Sequence, residues 1–164
     1  VVILGIDPGL ATIGYGVIAA ERGRYKVIDY GTITTPAKTQ VPIRLRMIYE
    51  SVLQLYDTYQ PEATALEELF FNTNITTGIN VAQARGAILT ALACRTEALY
   101  EYTPLQVKQS VVGYGRAEKQ QVQLMVKTLL HLREIPRPDD AADALAVALC
   151  YAHSANMEKL FKIQ

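Results

Sequence analysis

The sequence predicts an α/β fold with a five-stranded mixed sheet flanked by helices. Three observations carry that expectation. The first third of the 164 residues is a series of three strand-like runs separated by turn signals. The middle alternates helical periodicity with short apolar strands. The remainder is helical, interrupted by glycine and proline. Half of the residues are apolar, enough for a sizeable core, so one domain over residues 1–164 is expected. Residues from about 155 to 164 form a tail without a clear signal.

Val1-Val2-Ile3-Leu4-Gly5-Ile6 is a continuous apolar run, the pattern of a strand buried on both faces. Asp7 closes it and Pro8-Gly9 turns the chain. A second strand follows over Ile13 to Ala20, and Glu21-Arg22-Gly23-Arg24 makes the next turn. Tyr25 to Thr34 is the third strand, so the N-terminal third reads as an antiparallel meander. Pro36 to Pro42 is a linker. A helix then runs from about Ile43 to Gln60, with Leu45, Ile48, Val52, Leu55 and Tyr59 on one stripe. Pro61 ends it. Ala63-Thr64-Ala65-Leu66-Glu67 is a short strand; following a helix, it is expected to lie parallel to the first. Residues 70–80 read as a loop, and Val81 to Glu97 as the second helix. Leu99 to Thr103 is the fifth strand, and Gln106 to Val112 a short helix broken by Gly113-Tyr114-Gly115. Lys119 to Leu132 is the third long helix. After Pro136-Arg137-Pro138, Asp139 is the expected N-cap of a final helix reaching about Ser154. This order is the plan of the ribonuclease H-like fold, in which the first and fourth strands are adjacent and parallel, with their ends side by side.

Four acids stand at the places where that plan converges. Asp7 ends the first strand, Glu67 ends the fourth, and Asp140 and Asp143 begin the last helix. An acid at the end of a buried strand is costly to desolvate unless it pairs or binds a cation. Asp140 and Asp143 are three apart and share a helix face, their Cβ atoms roughly 5–6 Å apart. Four carboxylates in one small space would repel and raise one another's pKa values. Divalent metal removes that conflict. Oxygen ligands without His or Cys favour Mg²⁺, with Mn²⁺ as the other choice. Two ions about 3.5–4 Å apart would suit in-line cleavage of a phosphodiester. Taken singly, each acid has a plainer reading: a strand-terminating turn for Asp7, a solvated strand end for Glu67, helix N-terminal charges for Asp140 and Asp143. Their order along the chain favours the shared site.

The net charge is zero, but residues 105–133 carry five basic side chains and one acid. The two cysteines, Cys94 and Cys150, have no metal-ligand spacing and are expected to be free and buried, as in a reducing cytoplasm. No run of about 18 apolar residues exists to span a membrane, and no secretory signal pattern opens the chain.

At these residues the sequence resembles the RuvC family of Holliday junction resolvases. The matching pieces are Leu4-Gly5-Ile6-Asp7-Pro8-Gly9, Gly14-Tyr15-Gly16, Leu66-Glu67, Gln83-Ala84-Arg85-Gly86, Gln106-Val107-Lys108, Val112-Gly113, Ala117-Glu118-Lys119 and Asp140-Ala141-Ala142-Asp143-Ala144-Leu145-Ala146. They occur in family order and span nearly the whole chain. The resemblance implies a homodimer that binds four-way DNA junctions and nicks opposing strands symmetrically with Mg²⁺. It implies Asp7, Glu67, Asp140 and Asp143 as catalytic metal ligands, with two ions per site. It places Lys108 and Lys119 near the scissile DNA, where each phosphate neutralised would steepen the salt dependence of binding by about one log unit per log unit. It gives Phe70 a role at the junction centre, stacking on or wedging between bases, while Phe71 reads as a core residue. The second helix, with Ala82, Gly86 and Ala93, matches the region the family uses to dimerise. Association with a RuvA–RuvB branch-migration complex follows from the resemblance alone. The alternatives are a ribonuclease H-like nuclease acting on structured RNA and a junction-binding module that does not cut; the presence of all four acids argues against the second.

Overall fold

Residues 1–69 and 75–164 are described by a computed structural model. The three N-terminal apolar runs form β1 (Val2–Asp7), β2 (Thr12–Glu21) and β3 (Arg24–Thr34), an antiparallel meander. Then come α1 (Val41–Tyr59), β4 (Ala63–Glu67), α2 (Ile75–Ala93) and β5 (Leu99–Tyr102). The chain continues as α3 (Pro104–Val112), α4 (Lys119–Leu129) and α5 (Asp139–Ser154). A 3₁₀ turn (Ala155–Met157) and a short α6 (Glu158–Phe161) follow. The sheet order is β3-β2-β1-β4-β5, with β4 parallel to both β1 and β5. This is the five-stranded mixed sheet expected from the sequence. Among the described residues, no helix is long and apolar enough to cross a membrane.

Each face of the sheet has its own core. Strand side chains alternate faces. Ile3, Ala63 and Ala65 enter the core shared with α5, whereas Leu4, Ile6 and Leu66 enter the core beneath α1 and α2. Asp7 is in step with Ile3, and Glu67 with Ala65, so both carboxylates leave the sheet on the α5 side. Ile6 pairs with Leu66 in parallel register. Asp7 and Glu67 are therefore the next residues on two adjacent strands.

The helix α5 is buried along most of its length, Ala141, Ala142, Ala144 and Leu145 through Tyr151 all lying inside. It can lie so close because three strand residues facing it, Gly5, Gly14 and Gly16, have no Cβ. A Cβ on Gly14 would overlap the Asp140 carbonyl oxygen, and one on Gly5 would overlap the Ala144 carbonyl oxygen and stand 2.8 Å from the Ala148 nitrogen. Backbone atoms cannot swing aside as a flexible side chain can, so these contacts set the height of the helix above the sheet.

Several boundaries differ from expectation for identifiable reasons. Helix α2 begins at Ile75 and ends at Ala93, rather than spanning 81–97. Its first turns carry Ile75 and Ile79 exposed, at 78% and 52%, so no buried periodicity marked them. Helix α3 starts at Pro104, because Thr103 caps it: Thr103 Oγ1 accepts from the Gln106 amide while the Gln106 side chain accepts from the Thr103 amide. The tail has structure of its own: Lys162 bridges to Tyr100, and the Ile163 amide donates to Leu99. It covers the β5 edge, an arrangement that blunts an otherwise open edge strand. Cys150 is buried as expected, but Cys94 is exposed near the end of α2.

The packing of α5 generates a first prediction. Gly14→Ala should destabilise the protein by at least about 1–3 kcal/mol in urea unfolding, the usual range for overpacking a tight contact. Gly86→Ala, whose added Cβ would meet nothing within 4 Å, should be neutral or stabilising by up to ~1 kcal/mol. Equal effects would show that α5 can shift to accommodate the methyl group.

Candidate active site

Strand ends and a helix start bring the expected acids to one place. Asp7 and Glu67 project from neighbouring strand ends, and the first turns of α5 deliver Asp140 and Asp143 above them. Their mutual influence is direct. Burial is the largest cause pushing the Asp7 carboxyl up to about 8, followed by the fields of Glu67, Asp143 and Asp140, with Lys119 opposing. Burial and then Asp143 push Glu67 up to about 7, against the fields of Lys108 and Lys119. Asp143 is likewise raised by burial, with Lys119 working against it through charge and a hydrogen bond. Asp7 thus lies within electrostatic reach of the other three carboxylates, and Asp143 within reach of both Glu67 and Asp140.

Beside them is a cleft of about 230 Å³ between β4, α3, α4 and α5, lined by Glu67, Asp143, Lys108 and Lys119. A larger cavity of about 410 Å³ lies at the other end of β1, among Val1, Tyr25 and Tyr151, and holds none of the four acids. Size alone would select the wrong place; the cleft that combines desolvated acids with cations is the candidate.

Asp139 behaves differently from expectation. The N-cap position of α5 is Pro138, and no side chain caps the helix. Asp139 instead accepts from Arg137 Nη1 at 2.6 Å and from Gln123 Nε2 at 3.1 Å. Its other carboxylate oxygen lies 3.5 Å from Lys119 Nζ, which is also 3.3 Å from Asp143. One ammonium therefore spans Asp139 and Asp143. Burial by itself would lower the Lys119 pKa, but the Asp143 and Asp139 carboxylates outweigh it and the net shift is upward.

Among the described residues, no three His, Cys, Asp or Glu side chains are gathered in a metal-holding arrangement. The donor set nonetheless fits a hard divalent cation. Its groups are all carboxylate oxygens, three of them (Asp7, Glu67 and Asp143) raised by burial and by neighbouring acids, and a cation would relieve that repulsion. Lys108, on α3, lines the same cleft. Phe70 and Phe71 lie outside the described residues. Gly5 and Gly14 stand in the matching motifs, but the sequence reading gave them no packing role. The signal available for them was their small size, at strand positions in step with Asp7 and beside it.

Known proteins resemble the chain over nearly its full length. Residues 3–151 match the family described as crossover junction endodeoxyribonuclease RuvC. The protein of that name from Alkaliphilus metalliredigens is 57% identical over 163 residues, covering 99% of each chain. The one from Clostridioides difficile is 53% identical over 161 residues, covering 98% of this chain and 95% of the relative. Among solved structures, Thermus thermophilus RuvC in complex with Holliday junction substrate is 39% identical, with a TM-score of 0.89 over 95% of each chain. The yeast mitochondrial Holliday junction resolvase, at 12% identity and a TM-score of 0.71, shares the fold over 98% of this chain and 82% of its own.

The raised Asp7 pKa makes the metal-free protein sensitive to pH. Folded Asp7 keeps its proton over a range in which the unfolded chain has lost it. Stability linked to this group is full below about pH 4 and is lost as the pH rises through about 8. In EDTA at about pH 8.5, Asp7→Asn should melt higher than the parent by on the order of 5 °C, and the two should converge near pH 4. Calorimetry at the two pH values checks this; coincident melting at the higher pH would remove the electrostatic burden from Asp7.

Proposed function

The chain belongs to the RuvC family of crossover junction endodeoxyribonucleases, and on that basis we propose that it resolves four-way (Holliday) DNA junctions by nicking opposing strands during recombination and repair. The observation that carries the reading is the coupled set Asp7, Glu67, Asp140 and Asp143 beside a cleft edged by Lys108 and Lys119. Thermus thermophilus RuvC, similar over nearly the full length, was captured with a Holliday junction substrate. Residues 1–164 act in this reading as one nuclease domain.

The four acids are the proposed catalytic residues and the ligands of two Mg²⁺ ions per site, with Mn²⁺ able to substitute. When bound, such ions supply a water of lowered pKa and neutralise charge on the leaving oxygen. The protein's own part is placement. The ends of β1 and β4 and the first turns of α5 are rigid elements, so the carboxylates meet the scissile phosphate without reorganising. Lys108 and Lys119, on the wall of the same cleft, contact DNA phosphates and orient the strand. Phe70, three residues beyond Glu67, is proposed to stack on or wedge between bases at the crossover.

Symmetric nicking of a two-fold junction calls for two sites related by two-fold symmetry, hence a homodimer. The exposed Ile75 and Ile79 on α2 support that helix as the interface. The proposed location is the cytoplasm, and the proposed partner a RuvA–RuvB branch-migration complex, both resting on family membership.

Two tests follow. Asp7→Asn should slow nicking of a labelled four-way junction by at least about a hundredfold, roughly 3 kcal/mol of transition-state stabilisation, while junction binding persists. Junction, linear duplex and structured RNA compared side by side should show a preference for the junction; a preference for RNA would replace the reading with that of an RNA nuclease. Phe70→Ala should weaken the fluorescence change of a base analogue at the crossover, because base stacking is worth roughly 1–3 kcal/mol. An unchanged signal would return Phe70 to a packing role.

A further inference from the structure

The Lys119 ammonium stands where the α5 acids would need a cation. It lies 3.3 Å from Asp143 and 3.5 Å from Asp139, on the wall of the cleft that also contains Glu67. We propose that Lys119 is a resident counter-ion that competes with divalent metal for Asp143, with Asp139 as the anchor that keeps it there. This deepens the metal-site reading above and rests on it.

Three features of the geometry support the competition. First, the Lys119 side chain is 55% exposed and Asp143 27% exposed, so the pair sits at the cleft mouth, where the long lysine stem can move away without unfolding anything. Second, Asp139 is held in place independently of Lys119. Arg137 and Gln123 fix one of its oxygens, leaving the other turned to the ammonium. Third, Lys119 opens α4, so its backbone is fixed while its head group is not. The capping box at the start of that helix, in which the Glu118 side chain accepts from the N3 amide and Gln121 accepts from the Glu118 amide, anchors the position from which it reaches.

One consequence joins metal and DNA. A phosphate arriving in the cleft would draw the ammonium from Asp143 and free that carboxylate for metal. Metal binding in turn would free Lys119 for phosphate. Because coupling between two ligands is reciprocal, each would raise the affinity for the other. In the absence of DNA the acids would stay partly neutralised and metal would bind weakly.

The test uses the full chain without DNA and Mn²⁺ as the probe, with binding followed by electron paramagnetic resonance. Lys119→Met keeps the stem and removes the charge; it should bind Mn²⁺ on the order of fivefold more tightly than the parent. Lys108→Met is the control for general electrostatics. Lys108 lines the same cleft and lowers the Glu67 pKa through its field, so its removal should raise affinity distinctly less. Equal gains in the two variants, or no gain in Lys119→Met, would overturn the competition. Asp7→Asn separates this from the underlying reading: if that variant binds Mn²⁺ like the parent, the metal site itself is wrong. If it loses Mn²⁺ while Lys119→Met gains nothing, only the role of Lys119 fails.

Discussion

The close seating of α5 on β1 and β2 is the constraint on which the rest of the structure depends. Two glycines, Gly5 and Gly14, let the helix backbone approach the sheet backbone directly. The helix answers with small residues, Ala141, Ala144 and Ala148 among them, all buried. Interiors are packed at crystal-like density, so such a contact has little slack. The glycines weaken strand propensity locally. In exchange the first turns of α5 come down beside the ends of β1 and β4. A larger residue at either glycine would lift the helix and separate Asp140 and Asp143 from Asp7 and Glu67.

That seating also creates an electrostatic burden. Burial and mutual repulsion push the Asp7 and Glu67 carboxyls up to about 8 and about 7. A protein selected only for stability would not assemble such a group, and a strained cluster of this kind is the usual mark of a working site. The cations around it are graded. Lys119 makes ion pairs with Asp143 and Asp139, whereas Lys108 acts on Glu67 through its field from across the cleft. Arg137 and Gln123 bind the outer acid, Asp139, and so hold the edge of the cluster in shape.

Much of this was legible in one dimension, and the omissions have a common cause. The β1 run, the α1 stripe and the α5 acids are local patterns, visible because burial imposes a period on sequence. The start of α2 was missed because Ile75 and Ile79 are exposed, so no period marks them. The pairing of the tail with β5 was missed because its partner, Leu99 to Tyr100, is distant in sequence. Asp139 was assigned to a cap because a helix-start acid usually serves there. Two of its three partners, Gln123 and Lys119, come from another helix.

By itself, then, the sequence determined the order of elements and the family and marked four acids as the candidates, since periodicity, turn residues and motif spacing are properties of the chain alone. Tertiary structure decided which face of the sheet those acids leave, how deeply they are desolvated and which cation answers them. Those depend on strand register, on the height of α5 above the sheet and on where α4 directs Lys119. No local pattern records these distances, because each is set by contacts between segments far apart in the chain.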